Sequence, residues 1–145
     1  RFDQVIALDN AREMLDQCES RATQQGLSNI QFILGDTAVA QSQGLKADCL
    51  SLNMVLHHNP TPADIIADCA SLLKKDGVLL ITDLCAHDQE WVRDSCGDLW
   101  LGFEPEELTR WASMAGLLEG NSLYLTQRNG FRIQLRQFSA GNTAL

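Results

Sequence analysis

Two acids stand where a carboxylate could hold a nucleoside: Asp9 closes the apolar run "VIALD", and Asp36 follows Gly35 at the end of "NIQFILGD". An ionised carboxylate accepts from two donors at once, so an acid just past a strand suits the paired hydroxyls of a ribose. A glycine beside an acid lets the backbone approach a flat ring while the acid receives an exocyclic amine, as adenine would require. Both positions also have local uses, Asp9 as a helix cap and Asp36 as a turn residue. His57 and His58, at the end of "NMVLHH", carry imidazoles, the side chain type suited to proton transfer near neutral pH, and are the candidates for a catalytic base. The alternative gives one of them to the core and the other to the loop before Pro60.

Further along, Trp91, Trp100 and Phe103 offer flat apolar surface for an acceptor, or for the core. Cys85 and Cys96 lie in the same segment, but two thiols are too few to support a thiophilic acceptor such as arsenite. His87, Asp88 and Glu90 imitate a set of metal ligands; the first turn of an acidic helix accounts for them better, and no metal site is expected.

The elements that must position these residues follow from periodicity and punctuation. After "VIALD", Ala11, Met14, Leu15, Cys18 and Ala22 recur at helical spacing, with Asn10 and Glu13 as a capping box and Gly26 as the stop. Ile30 to Leu34 form a short strand, and "ADCLSLNMVLHH" reads as a strand buried on both faces that stops at the two histidines. "TPADIIADCASLLKKDG" predicts a helix capped by Thr61, with Pro62 at its first position and a basic last turn, before the strand "VLLITDL". A short helix from about Asp88 and an aromatic loop precede the helix "EPEELTRWASMAG". The end, "LLEGNSLYLTQRNGFRIQLRQF", predicts a hairpin turning at Asn129-Gly130. Strands alternating with helices imply a mostly parallel sheet, whose ligands bind beyond the carboxyl ends of the strands.

Composition narrows the classes. A chain of 145 residues is most simply one domain. Its net charge of −8, with Lys and Arg scattered along the chain, argues against direct nucleic-acid binding. No apolar run reaches the length of a membrane span, which predicts no membrane partner and a cytoplasmic protein. The five cysteines form no CxxC pair, so buried reduced thiols are expected.

Taken in register, "VIALDNAREML", "NIQFILGD", "ADCLSLNMVLHH" and "LLKKDGVLLITD", with the closing hairpin, resemble the class I S-adenosylmethionine-dependent methyltransferases. "NMVLHH" and "HDQEWVRDSCGDLWLGFEPEEL" look like the small-molecule enzymes related to quinone biosynthesis, particularly those fused behind an ArsR-type repressor domain. The resemblance implies a cofactor, S-adenosylmethionine, contacted by Asp9, Asn10, Met14, Gly35, Asp36, Thr37 and Asn53. It also implies an acceptor pocket from His58, Trp91, Trp100 and Phe103, with Asn10 capping the helix and Asp9 freed for the sugar.

The departure from the family is at the start. Its members open with a strand and a GxGxG loop, whereas this chain begins at the family's second strand and its first glycine is Gly26. The expectation is an α/β, Rossmann-like three-layer sandwich, mostly parallel and ending in an antiparallel hairpin, with the first strand and helix absent. Residues 1–138 would be the truncated domain and 139–145 a tail. The absent strand would be central, and each buried backbone group left unpaired beside it would cost about 1–3 kcal/mol. The chain therefore reads as a piece of a longer protein, as a new pairing of its two halves, or as a protomer exchanging strands within a homo-oligomer. The expected function is methyl transfer to a small molecule, lost if the cofactor loop is truly missing. The alternative is a non-catalytic module that senses a ligand or assembles with a partner. A nicotinamide-dependent oxidoreductase would also place an acid after its second strand, but the Gly35-Asp36 pair, the "NMVLHH" end and the closing hairpin argue against it.

Overall fold

A computed structural model describes residues 2–141. By its internal contacts the chain divides into two compact units, Arg1–Gly44 and Leu45–Leu145.

The first unit holds strand β1 (Val5–Asp9), helix α1 (Arg12–Gln24), strand β2 (Ile30–Leu34) and a short helix α2 (Thr37–Ser42). β1 and β2 pair in parallel, Val5 opposite Ile30 through Asp9 opposite Leu34, so both strands deliver their following residues to the same end. The Gly35 amide donates to the Asp9 carbonyl at 2.9 Å and extends that ladder by one step. Helix α2 was not foreseen, since "TAVAQS" is too short to show a period.

In the second unit the order is strand β3 (Ala47–Asn53), a 3-10 turn (Leu56–His58), helix α3 (Pro62–Leu72), strand β4 (Leu73–Leu84), helices α4 (Trp91–Cys96) and α5 (Pro105–Met114), and strands β5 (Leu117–Thr126) and β6 (Arg132–Ala140). The sheet runs β3-β4-β6-β5, with β3 parallel to β4 and the other neighbours antiparallel. Among the described residues β1 pairs only with β2 and β3 only with β4.

Several boundaries move. The strand expected through "NMVLHH" ends at Asn53, and the histidines lie on the 3-10 turn. Helix α3 ends at Leu72, so Lys74 and Lys75 belong to the extended segment and provide no basic last turn; the Thr61 side chain makes no capping bond. Helix α4 begins at Trp91 instead of near Asp88. Ser139 pairs with Val78 and Ala140 with Leu117, which places the first two residues of the expected tail within β6; residues 142–145 lie outside the described ones. The hairpin turns where "RNG" placed it, with Gly130 at φ 87° and its amide bonded to the Gln127 carbonyl.

The core of this unit gathers Leu56, Ile66, Leu79, Ile81, Leu108 and Phe138 around Phe103. Phe103 is fully enclosed, with Trp111 edge-on to it at 5.6 Å and Trp100 tilted at 5.6 Å. Its neighbour Gly102 stands at φ 72°, and a Cβ there would lie 2.2 Å from the Cys85 carbonyl oxygen, so only glycine lets this segment press against the end of β4. Buried Arg136 on β6 ties the sheet to α5: its guanidinium donates to the Pro105 carbonyl (2.8 Å), to Thr109 Oγ1 (2.7 Å) and to Glu119. Of the cysteines, Cys69 and Cys85 are buried as expected, but Cys18 and Cys96 are exposed; all five are free thiols. Burial, reinforced by Asp68, pushes the Cys69 thiol up to about 12. No helix of the described residues is long and apolar enough to cross a membrane.

Because Phe103 fills the centre of this core, Phe103→Ala is expected to destabilise the chain by about 3–5 kcal/mol in urea unfolding. A loss below about 1 kcal/mol would return the ring to an acceptor pocket.

Candidate functional site

In the first unit both acids act on their own chain with one oxygen. Asp9 Oδ1 accepts from the Ala11 amide at 2.8 Å, and Asp36 Oδ1 accepts from the Val39 amide at 3.1 Å, capping α2. Asn10 does not cap α1: Ala11 holds the N-cap position, and the Asn10–Glu13 box does not form. The expectation that Asn10 would free Asp9 is thus corrected, because the extended backbone at Ala11 turns its amide toward the nearer acid. Gly35 stands at φ 154°, and the space its Cβ would fill is taken by the Val39 side chain at 2.7 Å. Glycine is required there by α2, whatever else approaches. Met14, expected on the apolar face of α1, is exposed, as is Asn10; Thr37 opens α2.

The second unit assembles a group that the sequence showed only in part. β3 and β4 run in register to Asn53 opposite Thr82, and the Met54 amide continues to the Thr82 carbonyl at 2.8 Å. Met54 has φ 55°, a left-handed backbone that a non-glycine residue rarely adopts. It turns the chain over the end of β4, where Asp83 is fully buried. Asp83 Oδ2 accepts from the Leu56 amide at 3.0 Å, and Oδ1 from the Leu84 amide at 2.8 Å and His57 Nδ1 at 2.7 Å. Three donors on one carboxylate satisfy a charge that would otherwise be very costly to bury. Asn53 is exposed, and its Oδ1 accepts from Ser51 Oγ at 3.1 Å.

The other face of the 3-10 turn is closed by the residues after α4. Gly97, at φ 73°, ends that helix and reverses the chain. Leu99 and Trp100 then donate their amides to the His57 carbonyl at 2.9 and 3.1 Å, and Trp100 Nε1 donates to the Asn59 carbonyl at 2.9 Å. The reversal carries Asp98, itself buried, to within 3.7 Å of His57 Nε2 and 3.6 Å of His58 Nδ1. The two imidazole rings lie 4.0 Å apart. The sequence marked the histidines but not Asp98, whose role comes from a helix stop 39 residues beyond His58.

The expected site residues therefore part company. His57 is buried and held by Asp83, while about half of the His58 side chain is exposed. Trp91 is exposed, with its indole bonded to Gln89, and Trp100 is half-buried on the 3-10 turn. Phe103, expected with them, belongs to the core, because it lies under Gly102 where the chain meets β4. A groove of about 520 Å³ in this unit is lined instead by residues such as Thr109, Glu119, Tyr124 and Arg136, none of them among the expected site residues.

A family model described as "Methyltransferase domain" matches residues 2–122. The chain belongs to this methyltransferase family. Among curated relatives, a ubiquinone biosynthesis O-methyltransferase of Coxiella burnetii is 25% identical over 126 residues, covering 78% of this chain and 53% of the relative. The chain thus spans about half the length of that relative. Among solved structures, a protein of Galdieria sulphuraria assigned as a sarcosine dimethylglycine methyltransferase superposes with a TM-score of 0.81 at 16% identity, over 96% of this chain and 70% of the other. The N-methyltransferase NodS of Bradyrhizobium japonicum, solved with S-adenosylhomocysteine, gives 0.74 at 14% identity, over 96% and 67%. The methyltransferase chain accordingly has the Rossmann-like α/β fold expected of class I enzymes, and the likeness to these structures is one of fold.

Burial draws the His57 pKa down, but the hydrogen bond it donates to Asp83 and the charges of Asp83 and Asp98 outweigh it and hold it above 6.5. A folded pKa above the unfolded one stabilises the protein fully below about 6.5, and that contribution is lost as pH rises through the folded value. Urea unfolding from pH 6 to 9 should therefore show a His57-dependent decline in stability that is shallower in Asp98→Asn. Equal slopes in the two proteins would contradict the pairing. Asp83→Ala, which strands three donors, is expected to cost about 3–5 kcal/mol in the same measurement.

Proposed function

We propose that this chain carries the nucleoside-binding and acceptor-facing parts of an S-adenosylmethionine-dependent methyltransferase acting on a small molecule through a hydroxyl group. The observation that carries the reading is the pair Asp9 and Asp36. They follow neighbouring parallel strands at the same end, and each uses Oδ1 on its own backbone. The second oxygen of each is the one that ribose hydroxyls and an adenine amine would meet, so the residues present fit the cofactor. Asn10, Met14, Gly35 and Thr37 surround these two positions in sequence, and the family likeness alone adds Asn53 to the proposed cofactor contacts. The cofactor would supply an activated methyl on a sulfonium. The protein's own part is to align the acceptor and exclude water.

A hydroxyl acceptor, suggested by the O-methyltransferase names of the curated relatives, must lose a proton. His58 is the better candidate base because its side chain reaches solvent beside Asp98, whereas His57 is enclosed. Trp91 and Trp100 are the aromatic walls proposed for the acceptor. The "HDQEWVRDSCGDLWLGF" likeness to quinone-biosynthesis and repressor-fused enzymes supports a small, ring-bearing acceptor.

Calorimetric titration of the chain with S-adenosylhomocysteine tests the reading. Saturable heat is expected, weakened about tenfold or more in Asp9→Asn and in Asp36→Asn, which keep the cap acceptor but remove the charge. No heat at millimolar ligand would overturn cofactor binding by this chain and favour a ligand-sensing or partner-assembled module.

A further inference from the structure

We propose that His57 Nε2, His58 Nδ1 and Asp98 form a binding site for a borderline divalent ion such as Zn(II), with a fourth position left to water or an oxygen ligand. The ligand atoms all lie within 4.8 Å of one another. The separations to Asp98 Oδ1, 3.7 Å from His57 and 3.6 Å from His58, are too long for hydrogen bonds. They are close to the spacing that two atoms adopt when both bind a tetrahedral ion at about 2.0–2.1 Å, which is about 3.4 Å.

Three further features favour an ion over a plain ion pair. His57 already donates from Nδ1 to Asp83 at 2.7 Å, and this fixes the ring so that a neutral imidazole turns its Nε2 lone pair toward Asp98. Carboxylate, histidine and metal in that order is a recurrent arrangement, and here the carboxylate is itself anchored by two amides. Asp98 is buried, and the basic side chains within 4 Å of it among the described residues are these two imidazoles, both beyond hydrogen-bond distance. A buried carboxylate ordinarily gains direct donors. Finally, the backbone straps from Leu99 and Trp100 to the His57 carbonyl hold Asp98 against the turn before any ligand arrives. The ligand atoms can be as far as 4.8 Å apart, so the half-exposed His58 must rotate inward by about an ångström to reach the tetrahedral spacing, and in doing so release the Gly97 carbonyl that its Nδ1 meets at 3.3 Å. Two imidazoles and one carboxylate suit zinc better than magnesium, which prefers an oxygen shell.

The proposal concerns the second unit alone and does not rest on the methyl-transfer reading; a His58 engaged through Nδ1 would no longer be the base of that reading. Zinc heat without S-adenosylhomocysteine heat would keep one and overturn the other. The test is calorimetric titration of the chelator-stripped full chain with Zn(II) near pH 7.5, with Co(II) absorption as a report on the ligands. One ion per chain is expected, with a raised thermal midpoint and a tetrahedral Co(II) spectrum without a thiolate band. Affinity should fall about 10- to 100-fold in His58→Gln and in Asp98→Asn, and stay unchanged in Cys18→Ser/Cys96→Ser. Substitution at the half-exposed His58 leaves the core intact, so loss of binding there is not loss of fold, and circular dichroism checks it. Absence of saturable binding would overturn the site. So would binding abolished by the cysteine pair or indifferent to His58→Gln.

Discussion

A buried carboxylate that cannot leave is the constraint on which the second unit turns. Asp83 lies at the carboxyl end of β4 with no exposure, and its charge is tolerable only because Leu56, Leu84 and His57 all donate to it. Those donors come from both the strand that carries the acid and the turn that follows its parallel neighbour. Satisfying Asp83 therefore fixes where β3 must stop, why Met54 accepts a left-handed backbone, and how the two histidines face. The alternative, an unpaired buried acid, would cost more than the strain at one residue.

From that point the geometry spreads outward through the backbone. The His57 carbonyl, oriented by the same turn, receives the amides of Leu99 and Trp100, and this pins the segment after α4. Gly102 and Phe103 then bring the chain back onto β4, where Phe103 seals the core and Gln134 Nε2 donates to its carbonyl at 2.8 Å. One consequence is that the aromatic segment divides by depth. Phe103 is structural, Trp100 braces the turn, and Trp91 stays open to solvent. In the first unit the corresponding economy is tighter still, since each acid both starts a helix and retains an oxygen for another donor.

How much of this could be read from the sequence depended on range. The ends of β1 and β2, helix α5 with Pro105 at its start, and the Asn129-Gly130 hairpin were legible because each rests on residues within a few positions of one another. The family was legible because several such elements stood in register. Helix α2 was hidden by its brevity, and the end of β3 by the apolar "MVL", which continues a strand pattern while the backbone turns. Asp98 was invisible for a different reason. Nothing near it in sequence shows that the stop at Gly97 will carry it under two histidines, a long-range consequence of helix length and of the Asp83 network. The capping at Asp9 was misjudged because Asn10 and Asp9 are equal as caps in principle, and only the extended backbone at Ala11 decides between them.

The account stands on His57 being held by Asp83 through Nδ1, with Nε2 turned to Asp98. Long-range proton–nitrogen correlation spectra of the imidazole, recorded well above the raised pKa of His57, test this directly. A single neutral tautomer is expected for His57, protonated at Nδ1 and bare at Nε2, with a slowly exchanging Nδ1 proton. A ring protonated at Nε2, or one averaging between tautomers as an imidazole free in water does, would contradict it.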